Sequence, residues 1–444
     1  MDKAPELEPV RPATCTSCAS QIGPGDKFCH GCGLPVADVA EMSTITTPKP
    51  VSEPFGGAEQ QPSFQTNSDP QSSMQPVLQT PAPPDIKPTE RPLMQPYISD
   101  AWLPEDRPMY RSNFCRTGVA SGKALHDLSE LKSKFKTSGR LESSPIVSKG
   151  TVYFGSNDKC FYAVLENGQE KWKFMTRGRI VSSAALDDQT VYFGSHDRCL
   201  YAVWLKTGQE KWSFKTSGRI SASPLLLYDT LYFGSGDKNL YAVNSQNGQR
   251  RWAFLSAGGI SSSPAASEDM ILFGSRDKNL YAISALSGQE KWHFATQGPI
   301  TSTPAVAYGN VYLTSSDGCL YAIDIATGQG RWGFRSGGKI VCSPTVGDGK
   351  VYFGSADRNF HAINASSGDG IWGFQAASVI EASSVLIDNM IYFGTKQGIL
   401  HALDATTGQE KWRFKTLGPI VSSPALSEGA LYLTSGDKEL YVLT

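Results

Sequence analysis

The sequence predicts an all-β fold, an eight-bladed β-propeller of four-stranded blades. Three observations carry that reading. A unit of 39 or 40 residues recurs along most of the chain. Within each unit the apolar side chains alternate in strand fashion, without the helical spacing. Gly-Ser and Ser-Gly punctuation then cuts each unit into four short runs, the size of one propeller blade. A helical solenoid would need long strings of good helix formers, and Gly and Pro interrupt this chain too often for that.

The repeat is marked by an aromatic-Ala pair at Tyr162-Ala163, Tyr201-Ala202, Tyr241-Ala242, Tyr281-Ala282, Tyr321-Ala322, His361-Ala362 and His401-Ala402, with Tyr441-Val442 as the eighth. In the unit nearest the middle, strand A is expected at Ile260 to Ala266, B at Ile271 to Ser275, C at Leu280 to Ser284 and D at Glu290 to Thr296. Eight A-B-C sets are present, and the eighth lacks a strand D after it. Lys132 to Thr137 aligns with the D strand at Lys171 to Thr176, so an N-terminal strand should complete the last blade. Such closure leaves no incomplete blade edge open to pairing.

Strand D carries Trp172, Trp212, Trp252, Trp292, Trp332, Trp372 and Trp412 after a Gly turn. The run Asp404-Ala405-Thr406-Thr407-Gly408-Gln409-Glu410-Lys411-Trp412 resembles the tryptophan-docking motif of pyrroloquinoline-quinone (PQQ) repeat propellers. That family includes quinoprotein alcohol dehydrogenases and the propeller lipoprotein of the outer-membrane β-barrel assembly machine. The resemblance spans roughly residues 131 to 444 and implies that each Trp packs between adjacent blades. Ser133 stands where the eighth Trp would be, which makes the closing blade the expected weak joint.

From the N-terminus, the domains read as a zinc ribbon at 12–35, a linker at 36–120 and the propeller at 131–444. Cys15, Cys18, Cys29 and Cys32 form two CxxC knuckles separated by a Gly-Pro-Gly turn. Four thiolates at that spacing make a closed, structural Zn²⁺ site, and so small a module depends on its metal to fold. The linker is rich in Pro, Gln, Ser and Thr, a composition expected to be disordered. Aromatic residues reappear over 97–114 as a strap, expected to lie on the propeller's side or to bind a partner. Ala124 to Leu131 is expected to form one or two helical turns. Cys115, Cys160, Cys199, Cys319 and Cys342 show no disulfide spacing, as suits a reducing compartment.

The chain has 41 Lys and Arg against 42 Asp and Glu, and no basic-aromatic strip, so nucleic acid is not the expected partner. No apolar leader or long apolar run is seen, and the expected location is the cytoplasm, without membrane insertion. Dehydrogenases of the resembled family hold PQQ and Ca²⁺ with insertions, a carboxylate pair and adjacent cysteines. Here no blade has an insertion and no Cys-Cys pair exists, so neither PQQ nor catalysis is expected.

Differences between blades point to one face. The D–A turns carry Arg140, Arg179, Arg219 and Lys339 where other blades have Gly, Pro or Val. The B–C turns of the same face add cations such as Lys159 and Arg198, each preceded by an Asp expected to blunt it. Acidic residues gather in the A–B turns opposite. Inner strands are small and polar, broken by Glu142 and Glu381, which are candidates for a polar site at the channel mouth with Arg140 and Arg179. The expected function is a monomeric, non-catalytic scaffold whose D–A and B–C face holds an acidic peptide or protein, with the zinc ribbon as a second interaction module. A PQQ-dependent dehydrogenase and a structural subunit of a larger assembly are the alternatives.

Overall fold

The computed structural model describes residues 109–444, together with a short antiparallel pair, Ala13–Thr14 with Gln21–Ile22, whose strands flank Cys15 and Cys18 in the sequence. The remaining zinc-ribbon and linker residues, the four ribbon cysteines included, lie outside the described residues.

Eight four-stranded antiparallel sheets form the ring. In blade 4, strand A is Ala265–Ser267, B is Met270–Gly274, C is Asn279–Ser284 and D is Glu290–Ala295. Strand A is shorter than the sequence pattern suggested: Ile260 packs in the core with its amide on the Ser235 carbonyl of the preceding blade, and pairing begins only at Ala265. The closing blade has the predicted composition: Leu131–Lys136 pairs with Glu439–Leu443, outside Ala430–Thr434 and Ala425–Ser427. Each C–D pair contains a bulge, as where Ala202 faces Trp212 and Val203 faces Glu210. The extra residue bends the outer strand and increases its twist.

Sequence alternation dictates where the core sits. Both faces of strands B and C are apolar, and each face packs on a neighbouring blade. Ile146, Tyr153, Phe161 and Trp172 of blade 1 form one cluster with Ile180, Val191 and Phe193 of blade 2. The Trp172 indole lies against Gly208, where an added Cβ would come within 2.8 Å of the ring and φ is +71°. Only glycine tolerates both conditions. The indole Nε1 donates to the Leu205 carbonyl at 2.9 Å, and each later Trp up to Trp372 repeats this bond to the blade that follows. At the closing blade the Ser133 hydroxyl makes the equivalent bond to the Glu166 carbonyl, at 2.7 Å. Serine keeps the hydrogen bond there and gives up the ring.

Two N-terminal segments differ from expectation. Residues 120–130 form no helical turn. Their leucines instead cover the gap beside blade 8, with Leu125 buried in the core. The Leu125 carbonyl accepts from Trp412 Nε1 at 3.0 Å and from the Tyr392 hydroxyl at 2.8 Å. In the preceding blade Ala405 fills the same role for Trp372 and Tyr352.

Residues 109–119, which include the end of the expected strap, enter the ring rather than lie on its side. The innermost strands present amide groups that must find acceptors. The Ala266, Val306, Val346 and Leu386 amides donate to Phe114, Cys115, Thr117 and Gly118 carbonyls at 2.8–2.9 Å. Arg116 is fully buried and donates to the Pro224, Pro264 and Tyr110 carbonyls, while Arg111 reaches those of Ser343 and Pro344. The strap thus closes the channel at its A–B end, and Tyr110 lines the channel behind it. Among the described residues no helix is long and apolar enough to cross a membrane.

Candidate functional site: an arginine cleft at the D–A and B–C face

With one end plugged, the channel is open at the other, and its residues there differ from blade to blade. Its wall is set by two positions: the residue four before strand A, and the second residue after strand B. In blades 1 to 8 the first is Glu142, Val181, Ser221, Ser261, Thr301, Val341, Glu381 and Val421. The channel they line has a volume of about 180 Å³ and an almost wholly polar wall.

At this end a cleft of about 800 Å³ opens over blades 2 to 4, bounded by Arg179, Arg198, Arg219 and Arg276 with His196 and Glu142. Arg179 and Arg219 come from D–A turns, and Arg198 and Arg276 from B–C turns. Gly236 and Gly259 also line it and add no side chain to its wall.

His196 organises this wall. Arg179 Nε donates to His196 Nδ1 at 2.9 Å, so the ring proton resides on Nε2, which donates to Ser221 Oγ at 2.8 Å. Burial, and then the charges of Arg179 and Arg219, push the imidazole down to about 4. At neutral pH it is an uncharged spacer between cations.

The B–C aspartates stay ionised beside these cations, and the structure shows what holds them in place. Asp237 accepts from its own turn at Asn239 N, from the Tyr241 hydroxyl at 3.0 Å and from Ser217 N in the adjoining D–A turn. Burial alone would raise its carboxyl, but these hydrogen bonds outweigh burial and hold it below the usual carboxylate value. Asp197 and Asp277 have the same kinds of partner. These aspartates tie one turn to the next, and their lone pairs are occupied. The following cation in each turn, such as Lys159, Arg198 or Lys238, has φ of +73° to +78°, where Gly318 and Gly398 stand in blades 5 and 7.

The structure brings Arg179, Arg219 and Glu142 of the predicted face into one cleft, while Arg140 and Lys339 do not line it. Glu381 lies in the channel and pairs with Lys396 at 2.7 Å, and Glu142 accepts from Asn157 Nδ2 at 2.9 Å. His196 and Arg276 were missed by reading only the cation after each B–C aspartate. The residue before that aspartate, or before Gln397 in blade 7, runs Asn157, His196, Gly236, Arg276, Ser316, Ala356, Lys396 and Gly436, and its variability was the available signal. Among the described residues, no group of three or more His, Cys, Asp or Glu side chains is placed to hold a metal ion.

The ring of Trp-on-Gly docked blades, plugged at one end and open at the other, defines a repeat propeller of the tryptophan-docked kind. The family described as outer membrane protein assembly factor BamB matches residues 119–258, 252–379 and 381–444, and the chain belongs to that family. Among solved structures it is similar to BamB from Moraxella catarrhalis, at 19% identity and a TM-score of 0.63, covering 72% of this chain and 100% of that one. It is also similar to quinohemoprotein alcohol dehydrogenase ADHIIG from Pseudomonas putida HK5, at 15% identity and a TM-score of 0.67, covering 76% and 79% of the two chains. The corresponding enzyme from Comamonas testosteroni gives 14% identity, a TM-score of 0.65 and coverage of 76% and 80%. At these identities the likeness is one of fold. No curated protein sequence matches the chain.

Proposed function

We propose that this protein is a non-catalytic scaffold whose propeller holds an acidic peptide or protein at the D–A and B–C face. The observation that carries the reading is the cleft of four arginines whose neighbouring aspartates are occupied by backbone amides and tyrosine hydroxyls. Such an arginine-rich concavity orients an acidic partner during encounter and fixes its register on docking. The opposite face favours the same polarity: its A–B turns carry Asp187, Asp229, Asp269 and Asp388, of which Asp229 and Asp269 pair with Arg251 and Lys291. In this reading the ribbon of Cys15, Cys18, Cys29 and Cys32 holds Zn²⁺ and supplies a second contact, in the cytoplasm. Two linked modules raise each other's effective concentration.

Quinoprotein-like enzymology is the competing reading, favoured by the fold it shares with the dehydrogenases. Ca²⁺ beside a quinone takes six to eight oxygen ligands. The cleft offers one carboxylate, Glu142, among four guanidinium groups, and those residues do not fit that ion. The test is affinity capture from native lysate with the full chain, wild type beside Arg179→Glu/Arg219→Glu. A partner held by wild type and lost by the folded variant supports the reading; equal capture by both removes this face from it.

A further inference from the structure

Four features of the cleft narrow the chemistry of what it receives. Every cation lining it is an arginine, although lysines hold matching turn positions elsewhere, as Lys159, Lys238, Lys278 and Lys339 do. A guanidinium presents a planar fork of donors that meets oxyanions in a two-pronged fashion, which an ammonium cannot. Arg198, Arg219 and Arg276 make no ion pair or side-chain hydrogen bond among the described residues, so their forks face the cleft unpaired. Two hydroxyls add to them. Ser221 Oγ accepts from His196 and leaves its own hydrogen without an acceptor, and Ser261 Oγ is shielded from solvent with no partner. Both line the cleft.

We propose that the cleft is a receptor for a phosphate monoester carried on a protein side chain, so that its acidic partner is a phosphorylated one. The proposal rests on the acidic-partner reading and names the group recognised. A carboxylate is planar, with a single charge and two oxygens. A phosphorylated side chain carries a charge of about −1.5 to −2 and three terminal oxygens. Donors converging from three successive blades match the second shape. A run of carboxylates would call for cations spaced along a groove. Gly236 and Gly259 line the cleft without side chains that would narrow it.

The test uses the full chain and fluorescein-labelled peptides with the same Gly-Ala flanks around a central phosphoserine, serine or three glutamates. Binding is followed by fluorescence polarisation at physiological salt. The phosphoserine peptide should bind at least tenfold tighter than the serine peptide. Arg219→Lys keeps the charge but not the fork, and should weaken phosphoserine binding more than triglutamate binding. The double variant Ser221→Ala/Ser261→Ala should weaken the phosphoserine peptide severalfold and leave triglutamate unchanged. Far-UV circular dichroism confirms that each variant is folded. Equal binding of phosphoserine and triglutamate, with Arg219→Lys like wild type, overturns the phosphate assignment and leaves the acidic-partner reading standing. No binding of either peptide overturns both. Tighter binding of AMP than of the phosphoserine peptide would overturn the protein partner in favour of a free nucleotide.

Discussion

Replacing the blade-docking tryptophans should cost stability in proportion to how each one is buried, and Trp172 and Trp292 make the sharpest pair. Trp172 is 8% exposed, lies on Gly208, and stacks with Phe161 at 6.3 Å between ring centres. Phe161 in turn stacks on Phe193 of blade 2 at 4.0 Å. Trp292 keeps the hydrogen bond to the next blade, at 3.0 Å to Ile325, but is only partly buried and has Leu280 where Trp172 has Phe161. Large aromatic-to-Ala changes in cores cost about 3–5 kcal/mol, including a hydrogen bond of about 1 kcal/mol where one is lost. Trp172→Ala should therefore cost about 4 kcal/mol and Trp292→Ala about 2 to 3 kcal/mol. With an m-value of about 3 kcal/mol/M, the first is a urea midpoint shift of ~1.3 M. Far-UV circular dichroism during urea unfolding measures both, with the slope checked for constancy. Equal small shifts, below about 0.5 kcal/mol, would refute the idea that the indoles hold blade to blade.

Other expectations follow from the same geometry. The His196 ring should titrate near 4 by NMR, and Arg179→Ala should move it up toward the ordinary value; a wild-type midpoint at 6.5 would contradict the buried, cation-flanked placement. The sign for stability runs the same way. The unfolded chain binds this proton first, so His196 takes stability away as pH falls from about 6.5 through 4. Arg116→Met should cost several kcal/mol in urea unfolding, since it strips donors from the buried Pro224 and Pro264 carbonyls, and hydrogen bonds to charged groups contribute about 1.5–3 kcal/mol. Zinc analysis of the full chain should find one ion, lost in Cys15→Ser/Cys18→Ser, with the propeller's circular dichroism unchanged. A chain free of zinc would remove the ribbon reading.

The ring was legible because its causes are local and repeated eight times: strand alternation, Gly turns and one indole per blade. The composite closure followed from counting strands, and Ser133 pairing with Val442 fits that count. What the sequence did not reveal is non-repeating. The leucines of 120–130 have helix-like spacing, yet their backbone is needed to stand in at blade 8 for the carbonyl that Ala405 supplies to Trp372, and tertiary demand overrode the pattern. The plug of 109–119 was invisible for a similar reason, because edge amides of several blades recruit its carbonyls at long range. In the cleft, cation positions could be read in sequence, but their freedom could not. That Asp237 turns onto Tyr241 and Ser217 N rather than pairing directly with Arg219 is a property of folded turns.

The central claim, that the arginine cleft is the working surface, is tested most directly by hydrogen–deuterium exchange of the full chain with and without a hexaglutamate peptide. The account predicts slowed exchange in the D–A and B–C turns around Arg179, His196, Arg219 and Arg276, with the A–B turns at Asp229 and Asp269 unchanged. Protection confined to the A–B turns, or to the plug at 109–119, would contradict it.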